Sequence, residues 1–66
     1  MKELIEELNK AYADEWIAYF YYTWAAEVAS GINPPAVVSD LERIAKDELE
    51  HQSELAARML ELGGEP

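Results

Sequence analysis

All six glycines and prolines of this 66-residue chain fall in two places: Gly31, Pro34 and Pro35 near the middle, and Gly63, Gly64 and Pro66 at the end. From Lys2 to Ser30 there is neither, and Glu, Leu, Ala and Lys, which lose little freedom in a helix, dominate the first half of that stretch. The pattern predicts an all-α antiparallel helical hairpin, with helices over about 2–30 and about 34–62 and a turn at about 31–33. Gly31 is the expected left-handed residue ending the first helix. Asn33 followed by Pro34 reads as an N-cap with proline at the first helical position. Ser39 and Glu42 offer an alternative capping box that would start the second helix near residue 40. Gly63-Gly64 stops that helix and Pro66 keeps it from resuming.

Two helices enclose no interior, and chains this short bury too little surface to offset the entropy of ordering them. Half of the residues are nonetheless apolar, more than one hairpin can hide, so association is expected. Five basic and fourteen acidic residues give a net charge of −9. That balance argues against nucleic acid and anionic membrane surfaces and suits a protein that attracts cations. Without cysteine, disulfides, zinc–thiolate clusters, iron–sulfur centres and rubredoxin-type iron are excluded. The most apolar window, Trp16 to Ala26, lies between Glu15 and Glu27 and is far short of the ~20 residues of a membrane span. Met1-Lys2-Glu3 leads into an acidic amphipathic segment with no apolar core of a signal peptide, so a cytoplasmic location is expected.

Two stripes at helical spacing stand out: Leu4, Leu8, Ala11, Glu15, Ala18, Tyr22 and Ala26, then Val37, Leu41, Ile44, Glu48, His51, Leu55 and Met59 or Leu62. Each carries polar residues at its middle. Glu15 precedes the bend by as many residues as Glu48 follows it, so a hairpin brings both carboxylates to one height, about 24 Å from the turn at ~1.5 Å per residue. His51, three residues beyond Glu48, projects from the same face. Burying unpaired carboxylates costs several kcal/mol, a conflict that a divalent cation or exposure to solvent resolves. The Glu-x-x-His spacing is weak by itself, because glutamate supplies 11 of the 66 residues. Equal height and mid-helix position strengthen it. Two hairpins packed with their turns at opposite ends bring mid-height residues together, assembling four carboxylates and two imidazoles.

The segments Leu8-Asn9-Lys10-Ala11-Tyr12-Ala13-Asp14-Glu15-Trp16-Ile17-Ala18-Tyr19-Phe20-Tyr21-Tyr22 and Ala45-Lys46-Asp47-Glu48-Leu49-Glu50-His51 resemble the first helical pair of the ferritin-like superfamily. They are most similar to bacterioferritins and the Dps-like proteins that share their di-iron site. The resemblance implies Glu15 as a terminal ligand, Glu48 as the bridge between two metals, and His51 as the cap of one. It also implies Tyr22 as the tyrosine beside the centre, with Tyr19 near it in a supporting role, and Asp47 as the acid orienting the histidine of the opposite half. Family members continue through a long crossover into a second pair bearing a second Glu and Glu-x-x-His, whereas here the sequence reaches Gly63-Gly64-Glu65-Pro66. The expectation is a homodimer that replaces that half, a ferritin-like four-helix bundle with two Fe ions per dimer, or Mn, Zn or Co in their place. Leu49 stands where bacterioferritins carry the haem-binding methionine, so no haem is expected.

The implied chemistry is Fe(II) oxidation by dioxygen or peroxide at a site shared between two chains. The same residues are compatible with a structural metal-binding bundle that does not turn over, and with a metal-free helical oligomerisation module. Trp16, Phe20 and Trp24, four residues apart on another face of the first helix, suggest an interface and association beyond the dimer, though not a closed cage.

Overall fold

A computed structural model describes residues 1–66. It contains two α-helices, α1 (Lys2–Ala29) and α2 (Pro35–Glu61), and no strand. They pack side by side as a hairpin measuring 47 × 14 × 12 Å, a rod whose length is that of the helices themselves.

The bend differs from the sequence expectation at two residues. Gly31 is not left-handed; Gly63 is the one residue with positive φ. Ser30 stays right-handed, and the last carbonyls of α1 accept from the N–H groups of Ser30, Gly31, Ile32 and Asn33, at 2.8 to 3.4 Å. Those bonds already occupy the terminal acceptors, so no left-handed cap is needed. The Ser30 hydroxyl donates to the Glu27 carbonyl as well, at 2.7 Å. The N-cap of α2 is Pro34 rather than Asn33, and the helix begins at Pro35. A residue before proline is driven out of the helical region, and Pro34, preceding Pro35, has ψ 150°. Its carbonyl accepts from Val37 and Val38 to open α2. The Ser39–Glu42 alternative start is not used, because α2 already spans both residues.

At the far end, Gly63 (φ 83°) closes α2 in a Schellman turn: Gly64 N–H donates to Met59 O at 2.8 Å and Gly63 N–H to Leu60 O at 3.1 Å. Gly64 then lies against α1 so closely that a Cβ there would sit 2.8 Å from Ile5 Cγ2. The Asn9 side-chain amide donates to the Glu65 carbonyl at 3.3 Å, which ties the same segment down.

Only five residues are buried: Ala26 and Ala29 from α1, and Ala45, Gln52 and Met59 from α2. The three from α2 recur every seven residues, the period of helices coiling about each other with a left-handed twist. This seam is narrow and made mostly of alanine, which lets the backbones approach. It coincides with the stripes read in the sequence only at Ala26 and Met59. Leu4, Val37 and His51 belong to those stripes yet are exposed, and Gln52, which belongs to neither, is inside. The reason is that α1 is apolar on nearly every side, so periodicity alone could not say which face meets α2.

Candidate metal centre

Glu15 reaches the site from the middle of α1, and Glu48 and His51 reach it from the middle of α2. Their donor atoms all lie within 4.8 Å of one another. His51 Nδ1 is 3.4 Å from Glu15 Oε2 and 3.7 Å from Glu48 Oε2. Neighbouring donors around one ion with bonds of ~2.1 Å stand about 3.4 Å apart in a tetrahedral arrangement. The spacing is therefore that of a chelating set. The carboxylates are half-buried, with side chains 26 % and 20 % exposed, and the imidazole faces outward at 54 %.

The electrostatics of the cluster are unresolved internally. Glu15 Oε2 is shut off from solvent and has no hydrogen-bond partner. The Glu48 carboxyl beside it, acting first as a proton-sharing neighbour, then burial, then the like charge of Glu48, raise the pKa of Glu15, and His51 only partly opposes them. Desolvation pushes His51 down, but the negative charges of Glu15 and then Glu48 outweigh it and hold the imidazole above its ordinary value. Protons thus accumulate where positive charge is lacking. An orphaned oxygen, two crowded carboxylates and an imidazole at chelating distance fit a divalent cation such as Fe(II), Mn(II), Co(II) or Zn(II).

The other sequence-derived positions are placed as follows. Tyr22 lies on the Glu15 face two turns toward the bend, half-buried, with its ring edge-on to Tyr21 at 5.2 Å. Tyr19 packs edge-on against Trp16 and Phe20, at 5.8 and 6.0 Å, and lines a groove of about 500 Å³ that none of the three donors borders. Asp47 faces Arg43, its carboxylate 3.7 Å from the guanidinium, with both groups largely exposed. Gln52, one residue beyond His51, is the polar member of the seam and donates to Ser53 Oγ at 2.8 Å. Its place was not signalled in the sequence, since a glutamine between charged residues reads as surface.

A family model described as "Ferritin-like domain" matches residues 5–66. The chain belongs to the ferritin-like family. It is also similar to a DNA protection during starvation protein from Pyrococcus furiosus, 35% identical over 65 residues. That alignment covers 98% of this chain and 35% of the relative, so this ferritin-like chain spans about a third of the relative's length. No solved structure matches it. No helix is long and apolar enough to cross a membrane.

Proposed function

We propose that the chain provides half of a di-iron centre, completed by a second copy of the same hairpin, and that the assembled site oxidises Fe(II) with dioxygen or peroxide. The observation that carries this reading is the mid-height cluster of Glu15, Glu48 and His51 with its partnerless Glu15 oxygen. Membership of the ferritin-like family supports iron as the metal. Ferritin-like members hold two irons between two helix pairs, and a two-fold copy would supply the second set of donors.

In this reading Fe(II) is the substrate. Glu15 and His51 would each bind one ion and Glu48 would span the pair. Two Fe(II) ions surrender two electrons, enough to reduce dioxygen to hydrogen peroxide, or hydrogen peroxide to two waters, with two protons taken up. The carboxylates meet the added positive charge by changing how many oxygens they present. Tyr22 stands on the same face, and Asp47, which faces Arg43 in the hairpin, would orient the imidazole of the opposite copy. The P. furiosus relative is named for protecting DNA. With a charge of −9, this chain would serve such an end by consuming iron and oxidant rather than by holding phosphates.

Anaerobic titration with Fe(II) followed by air tests the proposal. One ion bound per chain, oxygen uptake and near-ultraviolet ferric absorption are expected. A species that stays monomeric with iron, or binds it without oxygen uptake, refutes the oxidase. The second outcome would instead favour a metal that staples the bundle, a reading to which the thin seam, with five residues buried, lends weight.

A further inference from the structure

Tyr12, Trp16 and Tyr19 form a continuous series of rings along α1. Trp16, expected outside with Phe20 and Trp24, is half-buried, as are Tyr12 and Tyr19. Tyr12 meets Trp16 edge-on with 6.3 Å between ring centres, and Trp16 meets Tyr19 edge-on at 5.8 Å. Both separations are those of direct aromatic contact, ~4.5–7 Å. Tyr12 precedes Glu15 by three residues and Tyr19 follows it by four, spacings that make side chains neighbours on a helix, ~5–6 Å apart at Cβ. The two phenols therefore flank Glu15 along α1, one turn on either side, and the indole joins them. Phe20 stands at the outer edge of the series, 6.3 Å from Trp16 and 6.0 Å from Tyr19. Tyrosine and tryptophan give up one electron far more readily than phenylalanine, so an electron vacancy in these rings is not passed outward through Phe20.

We propose that Tyr12, Trp16 and Tyr19 are a one-electron store beside the metal site, drawn on when iron arrives singly. The inference rests on the di-iron reading above. Two Fe(II) ions reduce hydrogen peroxide to two waters and leave no oxygen radical. A lone Fe(II) supplies one electron: with one proton, peroxide becomes a water and a hydroxyl radical while the ion becomes Fe(III). That radical takes a hydrogen atom from Tyr12 or Tyr19, so the phenol O–H bond breaks, water forms and a phenoxyl remains. The Trp16 indole passes the vacancy between the two phenols, giving an electron and a proton to one and regaining both from the other. The next Fe(II) returns the electron and becomes Fe(III), and a proton from water completes the O–H bond. The sum is that of the paired reaction, with the second electron delivered later. Two observations favour a store over packing. None of the three residues belongs to the buried seam, so helix pairing does not dictate them. Phenylalanine would also pack as well at either end, since neither phenol hydroxyl makes a hydrogen bond within the hairpin.

Pulse radiolysis of the metal-free chain with azidyl radicals tests the store without iron. In a Trp24→Phe background Trp16 is the sole indole. Its visible indolyl absorption should decay as near-ultraviolet phenoxyl absorption grows, at a rate independent of protein concentration. Tyr12→Phe with Tyr19→Phe in that background keeps every ring, so helicity by circular dichroism should be retained while the transfer slows by at least an order of magnitude. Each single variant should slow it less. An unchanged rate in the double variant overturns the proposal, because another tyrosine then receives the vacancy. With one Fe(II) per two chains and peroxide, spin-trapped hydroxyl radical should rise several-fold in Tyr12→Phe, Tyr19→Phe over the parent, and equal trapping also overturns it. The di-iron reading fails separately, by absence of oxygen uptake in the parent chain loaded with Fe(II).

Discussion

The seam between the helices and the face that bears the donors are made from the same two helices, yet their residues meet on opposite terms. In the seam, Ala26, Ala29, Ala45 and Met59 are buried and apolar, and each contact favours the hairpin. On the donor face, Glu15 and Glu48 crowd each other and one oxygen has no partner. The contact between the carboxylates is adverse until positive charge arrives, on His51 or from a cation. The difference teaches that folding and the proposed metal chemistry fall on separate faces of one rod. Substitutions can therefore break either without the other.

The largest expected effect is on metal. Glu48→Ala should abolish two-metal binding, so that Co(II) or Fe(II) per chain falls to half the parent level or below, while helicity in chelator stays at the parent level or rises. Metal analysis beside circular dichroism reads both, and unchanged stoichiometry would refute Glu48 as bridge. The converse is Met59→Ala. Met59 is fully buried, and truncating such a side chain costs about 2–5 kcal/mol. A thermal melt should show the loss, with added metal recovering part of it by mass action.

The pH response separates the faces further. His51 has a raised pKa in the fold, so its stabilisation is complete below the unfolded value of 6.5 and disappears as pH rises through the higher folded value. Glu15 is also raised. The fold prefers its neutral form, and stability falls as pH rises from 4.5 through the shifted value. Metal-free protein should therefore melt highest on the acid side and lower toward neutrality. With Co(II) present the order reverses, because the metal needs these groups deprotonated. Melting curves that do not depend on pH in chelator would contradict the crowded arrangement.

Smaller effects belong to the closed end and the surface. Gly64→Val pushes a Cβ into Ile5 and should cost about 1–3 kcal/mol as overpacking. Gly63→Ala should cost about 1–2 kcal/mol for its left-handed backbone, and both are measurable by denaturant titration. Arg43→Ala breaks an exposed pair with Asp47 and should change stability by under about 1 kcal/mol.

The hairpin was legible because glycine and proline are confined to the bend and the end, so few other chain paths exist. The meeting of Glu15, Glu48 and His51 was legible because equal distances from the bend become equal heights once the helices are antiparallel. Finer features were hidden for identifiable reasons. The Pro34-Pro35 pair shifts the start of α2 by a residue, through a steric effect on Pro34 that outweighs the capping preference of Asn33. The seven-residue rhythm of Ala45, Gln52 and Met59 was masked because Ala45 is small and Gln52 polar, so Leu41, Ile44 and Leu55 dominate the apolar pattern of α2. A buried glutamine has no signature of its own.

The donors' position halfway along the rod has a consequence for dynamics. Helix ends fray locally, but fraying is confined to the outermost turns, whereas Glu15 stands about 21 Å from Met1 and ~24 Å from the bend. Opening the site therefore requires the helices to part as a whole. Amide hydrogens around Glu15 and Glu48 would exchange at the rate of global unfolding, and the spacing of the three donors would hold for as long as the hairpin stays closed.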